Sequence, residues 1–171
     1  MSRLPVRTIL GLALALTAAA AAAAAVSPGA VSVRYDHPEN FTETREVRAF
    51  APFRDDSYLA TLQDYLQQRA AAKLQPGQTL SIVITDVDRA GSYLPAIGPG
   101  QPVRIVKDVY PPRIALHFRL LDAQGKVIRE GERKLTDLGF MYDSTSIRDT
   151  DPLRYEKRTL DRWLARGAAN L

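Results

Sequence analysis

The sequence predicts an α+β domain: a mostly antiparallel sheet with two helices packed on one face. Three observations predict it. Residues 113–121 alternate, with Ile114, Leu116, Phe118 and Leu120 on one side and Ala115, His117 and Arg119 on the other, as an antiparallel strand with one wet face does. Residues 80–87, LSIVITDV, are too short for a stable helix and rich in β-branched side chains, which suits a buried central strand. Two longer stretches, 55–74 and 151–165, carry apolar residues at three- and four-residue spacing, the mark of amphipathic helices.

The chain opens with a different kind of segment. Arg3 and Arg7 precede an apolar run at residues 9–16, and the alanines after it end in the small residues that signal peptidase accepts. A secretory leader over residues 1–25 is expected, cut after Ala25 or, at the far end of a spacer over 26–30, after Ala30. As a retained anchor the strongly apolar part is short, and alanine is only weakly hydrophobic for a span of about 20 residues. The expected product is periplasmic, with no integral membrane span after cleavage.

Beyond the leader and spacer, residues 31–171 are long enough for one domain with its own core. The chain has no cysteine, so disulfides, thiolate nucleophiles, zinc knuckles and iron–sulfur ligation are all excluded. The net charge of +4 falls by two when Arg3 and Arg7 leave with the leader. Basic residues are scattered singly or in short groups such as Arg133-Lys134 and Lys157-Arg158, without the continuous stripe that phosphate-backbone binding needs. Nucleic acid is therefore not an expected partner.

In order, Val31-Ser32-Val33-Arg34-Tyr35 alternates as a first strand, and Pro38 with Asp36 and Asn40 turns the chain into a loop anchored by Phe41. The first helix, with Tyr58, Leu59, Leu62, Tyr65, Leu66, Ala70 and Leu74 as its apolar residues, is capped by Asp55, Asp56 or Ser57 and stopped by Pro76-Gly77. After the central strand, residues 88–102 hold three glycines and three prolines and read as a long exposed loop. A short strand at 103–106 leads through Tyr110-Pro111-Pro112 into the alternating strand. Asp122-Ala123-Gln124-Gly125 has turn chemistry, so residues 126–135 should return as its hairpin partner. Its mixed charges from Arg129 to Lys134 suit a solvated face with cross-strand pairs. Asp151-Pro152 then offers a cap and a first-turn proline for the last helix, whose stripe is Leu153, Leu160, Trp163 and Leu164, with Trp163 as core anchor and Gly167 at its end.

The segments VSVRYDHPENFTETRE, QTLSIVITDVDRAGSYLP, VRIVKDVYPPRIALHFRLLDAQGKVIREGERKLTDLGFMY and DPLRYEKRTLDRWL together resemble the bacterial exported family known as domain of unknown function 3016. The most specific parts are His37-Pro38-Glu39-Asn40-Phe41-Thr42, similar to a DPxxFTD pattern, Thr85-Asp86-Val87-Asp88-Arg89-Ala90-Gly91, similar to TDVDLAG, and the LRYEK opening of the last helix. His37 and Arg89 depart from the pattern, which favours an acidic and an apolar residue there. The resemblance implies an exported protein of gram-negative type and brings no activity, cofactor or catalytic residue with it.

Asp86 and Asp88 are the strongest candidates for chemistry, because residues two apart on a strand share a face beside the glycine-rich loop. With Asp36 or Asp137 they could hold a hard divalent cation or divide acid and base roles as a small hydrolase does. The structural alternative is the stronger: Arg104 and Arg113 are available as bidentate partners, and a strand-end Asp often accepts from loop amides. His37 and His117, the only histidines, belong to no motif; His117 reads as an ordinary residue of the wet face. No nucleophile elbow, phosphate loop or cofactor motif occurs, so no cofactor is expected. Tyr93-Leu94-Pro95, Tyr110-Pro111-Pro112 and Phe140-Met141-Tyr142 all fall in loops. Gathered at one end of the sheet, they would present Tyr93, Tyr110 and Tyr142 to an envelope protein or glycan; scattered, they would plug the sheet's edges. The sequence therefore favours a non-enzymatic binding or accessory module, with a carboxylate-dependent metal binder or hydrolase using Asp36, Asp86 and Asp88 as the rival.

Overall fold

The computed structural model describes residues 30–50, 57–94, 102–142, 149–167 and 171. The expected leader and most of its spacer, the caps Asp55 and Asp56, and residues 95–101 of the glycine-proline stretch lie outside the described residues. The elements are β1 (Ala30–Tyr35), a 3-10 turn (Pro38–Asn40), α1 (Thr42–Phe50), α2 (Ser57–Ala71), β2 (Thr79–Asp88), β3 (Ser92–Leu94), β4 (Val103–Ile105), β5 (Arg113–Leu121), β6 (Val127–Thr136) and α3 (Arg154–Leu164).

Four strands form one sheet in the order β1-β2-β5-β6, and β3 and β4 make a separate two-stranded hairpin. β1 and β2 run parallel, as the crossover through α1 and α2 allows, and the other two pairings are antiparallel. The sheet is thus mostly antiparallel, as expected, but the domain has three helices among its described residues where two were expected. The additional one, α1, fills the stretch read as a loop. Its buried side chains are Glu43 and Thr44, so no apolar stripe announces it. Phe41, just before it, is the buried anchor expected, with its ring edge-on to Tyr35 at 5.9 Å.

α2 and α3 pack against each other and over one face of the sheet. α2 contributes Tyr58, Leu62, Leu66 and Ala70, and α3 contributes Leu160, Trp163 and Leu164. They meet Leu80, Ile82 and Ile84 of β2 and Ile114, Leu116, Phe118 and Leu120 of β5 in one continuous core. Trp163 stands edge-on to Phe118 at 5.9 Å, a core anchor and not a surface platform. α3 begins at Arg154, after Pro152; Asp151 still closes its entrance by accepting the Leu153 N–H at Oδ1 (2.8 Å).

The opposite face is polar. His117 pairs with Glu132 (3.3 Å) and Arg119 with Glu130 (3.1 Å) across β5 and β6. Gly125 closes that hairpin with φ +79°, a conformation that glycine adopts without strain, while Asp122 Oδ1 accepts the N–H groups of Gln124 and Lys126.

One irregularity positions the candidate carboxylates. Leu80, Ile82 and Ile84 face the core, and unbroken alternation would turn Asp86 inward after them. The β2–β5 register shifts between Ile84 and Asp86, so Ile84 faces Leu116 whereas Asp86 faces Ala115 and Val87 faces Ile114. The extra residue sends Val87 into the core and keeps Asp86 and Asp88 on the polar side.

Candidate functional site

Asp86 and Asp88 do share a face, but each is engaged by a different part of the chain. Asp86 accepts the Thr42 backbone N–H at Oδ1 (2.7 Å) and the Thr42 hydroxyl at Oδ2 (2.8 Å), so it caps α1 from a strand remote in sequence. Asp88 faces Arg113 across the strand pair, with Nη1 at 3.0 Å from Oδ2. Burial pushes the Asp88 carboxyl above the usual aspartate range, and the guanidinium works against that rise. Asp36 is exposed and lies beside His37, whose Nδ1 is 3.0 Å from Glu39. Hydrogen bonding to Glu39 raises the His37 pKa, with Asp36 adding to it. Asp137 is buried and held by Arg158 and Arg162.

Among the described residues no group of three or more His, Asp or Glu side chains is placed to hold a metal ion. The carboxylate rival would need Asp36 or Asp137 to join Asp86 and Asp88, and no such group is found among the described residues. Of the two arginines considered as partners, Arg113 serves Asp88, whereas Arg104 turns away to Glu43.

That second pairing is the centre of a buried network that the apolar pattern of the sequence does not reveal. Arg104 donates from Nη2 to Glu43 and from Nη1 toward the carbonyls of Arg89 (3.3 Å), Ala90 (3.2 Å) and Gly91 (3.4 Å). Glu43 also accepts the Arg89 N–H (3.3 Å), Glu156 accepts the Ala90 N–H (2.8 Å), and Glu46 accepts both the Ser92 hydroxyl and the Tyr93 N–H (3.0 Å). Three glutamates from two helices thus bind the turn that links β2 to β3. Gly91 sits in this turn at φ +90°, and a Cβ there would come within 2.7 Å of the Ile105 carbonyl oxygen. The signal for Glu156 was present in the sequence: it falls three residues after Leu153 and four before Leu160, on the apolar stripe of α3.

Burial raises the Glu156 pKa above its ordinary 4.5, against the opposing pull of the Ala90 N–H and of Arg89 and Arg104. The folded state therefore holds this proton more tightly than the unfolded chain does. Its stabilising contribution is complete below the unfolded value and is lost as pH rises through the folded one. Glu156→Gln is expected to flatten the pH dependence of stability above 4.5, because a neutral amide still accepts the Ala90 N–H. Urea midpoints of the two proteins across this range check it; parallel curves would show that Glu156 does not titrate between the states.

The aromatic loops come together at the same end of the sheet, where β5 starts opposite the finish of β6. The Tyr110 carbonyl accepts the Gly91 N–H (3.0 Å). Phe140 is buried against Ala90 and Val106, with the Tyr155 ring edge-on at 4.9 Å. Both loops are thereby fastened to the turn that the glutamates hold. Tyr93 lies half-buried under the Arg104 guanidinium, 4.5 Å from its ring centre. Tyr110 and Tyr142 are exposed, and Val109, Leu138 and Met141 stand exposed beside them in sequence.

These features define a small α+β domain whose inner polar groups hold its own loops in place. The chain belongs to the family described as protein of unknown function (DUF3016), whose model matches residues 29–166. No curated protein matches it. Among solved structures it is similar to a minor lipoprotein from Acinetobacter baumannii, at 12% identity over 80% of this chain and 86% of that one, with a TM-score of 0.24, a likeness too slight to carry an argument. No helix among the described residues is long and apolar enough to cross a membrane.

Proposed function

We propose that this protein is a non-enzymatic binding or accessory module of the cell envelope, exported by its leader to the periplasm, and that it docks an envelope protein through the loop end of the sheet. The observation that carries the reading is a contrast between two sets of side chains. The candidate carboxylates are satisfied internally, Asp86 by Thr42 and Asp88 by Arg113. The exposed side chains at that end include five apolar or aromatic ones, Val109, Tyr110, Leu138, Met141 and Tyr142, beside the charged Lys107, Asp108 and Arg113. Their loops are braced through Gly91 and Phe140, so contact would cost little ordering entropy.

The test is Tyr110→Ser/Leu138→Ser/Tyr142→Ser against wild type, each immobilised and exposed to an envelope extract. All three positions are exposed, so folding should change by no more than about 0.5 kcal/mol per substitution. Proteins retained by wild type and lost by the variant are the expected result; identical retention would overturn the reading. The carboxylate rival predicts something else, a rise in Tm with a divalent cation that Asp86→Asn/Asp88→Asn abolishes.

A further inference from the structure

On the helical side of the domain, away from the loop end's carboxylates, α2 and α3 enclose a cleft of about 630 Å³. Six cationic side chains line it, Arg69, Lys73, Arg154, Lys157, Arg158 and Arg162, against three carboxylates, Asp149, Asp151 and Asp161. A fourth carboxylate, Asp137, is buried and shared between Arg158 (3.2 Å) and Arg162 (2.5 Å). The two helices contribute from opposite ends of the domain's sequence, which is why the basic groups look scattered along the chain.

The acids position the cations more than they cancel them. Asp161 accepts from Tyr65 (2.7 Å) and from Arg69 Nε (2.8 Å), and Asp151 holds Lys157 (2.5 Å), which also lies 5.0 Å over the Tyr65 ring. Arg154 rests on the Tyr155 ring at 4.3 Å and donates to the Asp151 carbonyl and the Tyr155 hydroxyl, neither of them a charge partner. Arg162 is 56% exposed, so the rest of its guanidinium fork faces water. The result is a fixed array with an excess of positive charge around a volume suited to a small molecule. Guanidinium forks match the oxygens of phosphate, while Asp149 and Asp151 can accept from hydroxyl groups beside it. The interspersed acids would repel a continuous polyanion.

We infer that the α2–α3 cleft is a binding site for a phosphate group carried on a hydroxyl-bearing body, of the glycerol phosphate kind. That chemistry occurs free in solution and in the headgroup of an anionic lipid, and two arms separate the sources. In one, glycerol 3-phosphate is titrated into the full chain by calorimetry; in the other, the full chain is co-sedimented with phosphatidylglycerol-containing vesicles and with phosphatidylcholine vesicles. Binding in the first arm alone assigns a soluble ligand, and binding in the second assigns the headgroup.

In either arm Lys73→Glu should weaken binding at least about tenfold, a loss of about 1.4 kcal/mol. Lys73 is exposed on the cleft wall, so the substitution does not disturb the core. Lys134→Glu makes the same charge change on the opposite, uncovered face of the sheet and should leave binding unchanged. No binding in either arm, or equal weakening by the two variants, would overturn the assignment, the second result reducing it to a general attraction by net charge.

Discussion

Glu43→Ala is expected to lower the unfolding free energy by about 3–5 kcal/mol, the range seen when one member of a buried ion pair is removed. Glu43 is 1% exposed and Arg104 15%, and no other carboxylate is within ion-pair distance of Arg104 among the described residues. The truncation leaves a guanidinium that water cannot easily reach, with the carbonyls of Arg89, Ala90 and Gly91 and the Tyr93 ring to face but no charge partner. It also removes the acceptor of the Arg89 N–H. Glu43→Gln, which keeps an acceptor but not the charge, should fall between Ala and wild type. Urea unfolding of the three proteins gives the order, and a loss under about 1 kcal/mol for Glu43→Ala would mean that the pair does not hold the turn. There is a functional consequence as well. The Gly91 N–H is bonded to the Tyr110 carbonyl, so loosening the turn should weaken partner retention at the loop end although Glu43 touches no surface there.

This network also explains which parts of the fold were legible in the sequence. Elements whose burial follows apolar side chains could be read directly: Leu62, Leu66 and Ala70 on α2, the alternation from Ile114 to Leu120 on β5, and Leu160, Trp163 and Leu164 on α3. α1 could not, because it is fixed by polar groups supplied from elsewhere. Asp86 caps its first residue, and Arg104 receives its buried glutamate. Periodicity records which side chains leave water, but not which polar groups meet across long stretches of chain. β3 escaped for a similar reason, since three residues inside a glycine-rich stretch carry too little pattern to stand out, whereas its partner β4 falls on the short strand read at 103–106.

The candidate site divides along the same line. Strand geometry is enough to put Asp86 and Asp88 on one face, and the fold contains that, but the face itself depends on the register shift after Ile84, which alternation alone would have placed wrongly. Of the aromatic loops, those before β5 and after β6 lie at one end of the sheet because β5 begins opposite the finish of β6. The cationic cleft was hidden completely. Lys157-Arg158 is a short basic group until α3 packs beside Arg69 and Lys73 of the α2 side.

Asp137→Ala is expected to move stability and ligand affinity in opposite directions. Asp137 is 1% exposed and joins the end of β6 to α3 through Arg158 and Arg162, while its Oδ1 accepts the Gly139 N–H (3.1 Å). Its loss takes a carboxylate from Arg158, only 18% exposed, and from Arg162, more than half exposed and able to turn to water, and removes the acceptor of the Gly139 N–H, at a cost of about 1–3 kcal/mol. Asp137→Asn, which keeps an oxygen for Gly139, should recover part of the loss, separating the hydrogen bond from the charge. The same substitutions remove a negative charge from behind the α2–α3 cleft, so glycerol 3-phosphate should bind the folded Asn variant more tightly than wild type, with the difference shrinking as salt is raised. A stability loss without any gain in affinity would mean that Asp137 serves the fold alone and that its field does not reach the ligand. A gain in both would contradict the burial of the pair, because a carboxylate whose removal stabilises the domain cannot be the one that two guanidiniums are folded around.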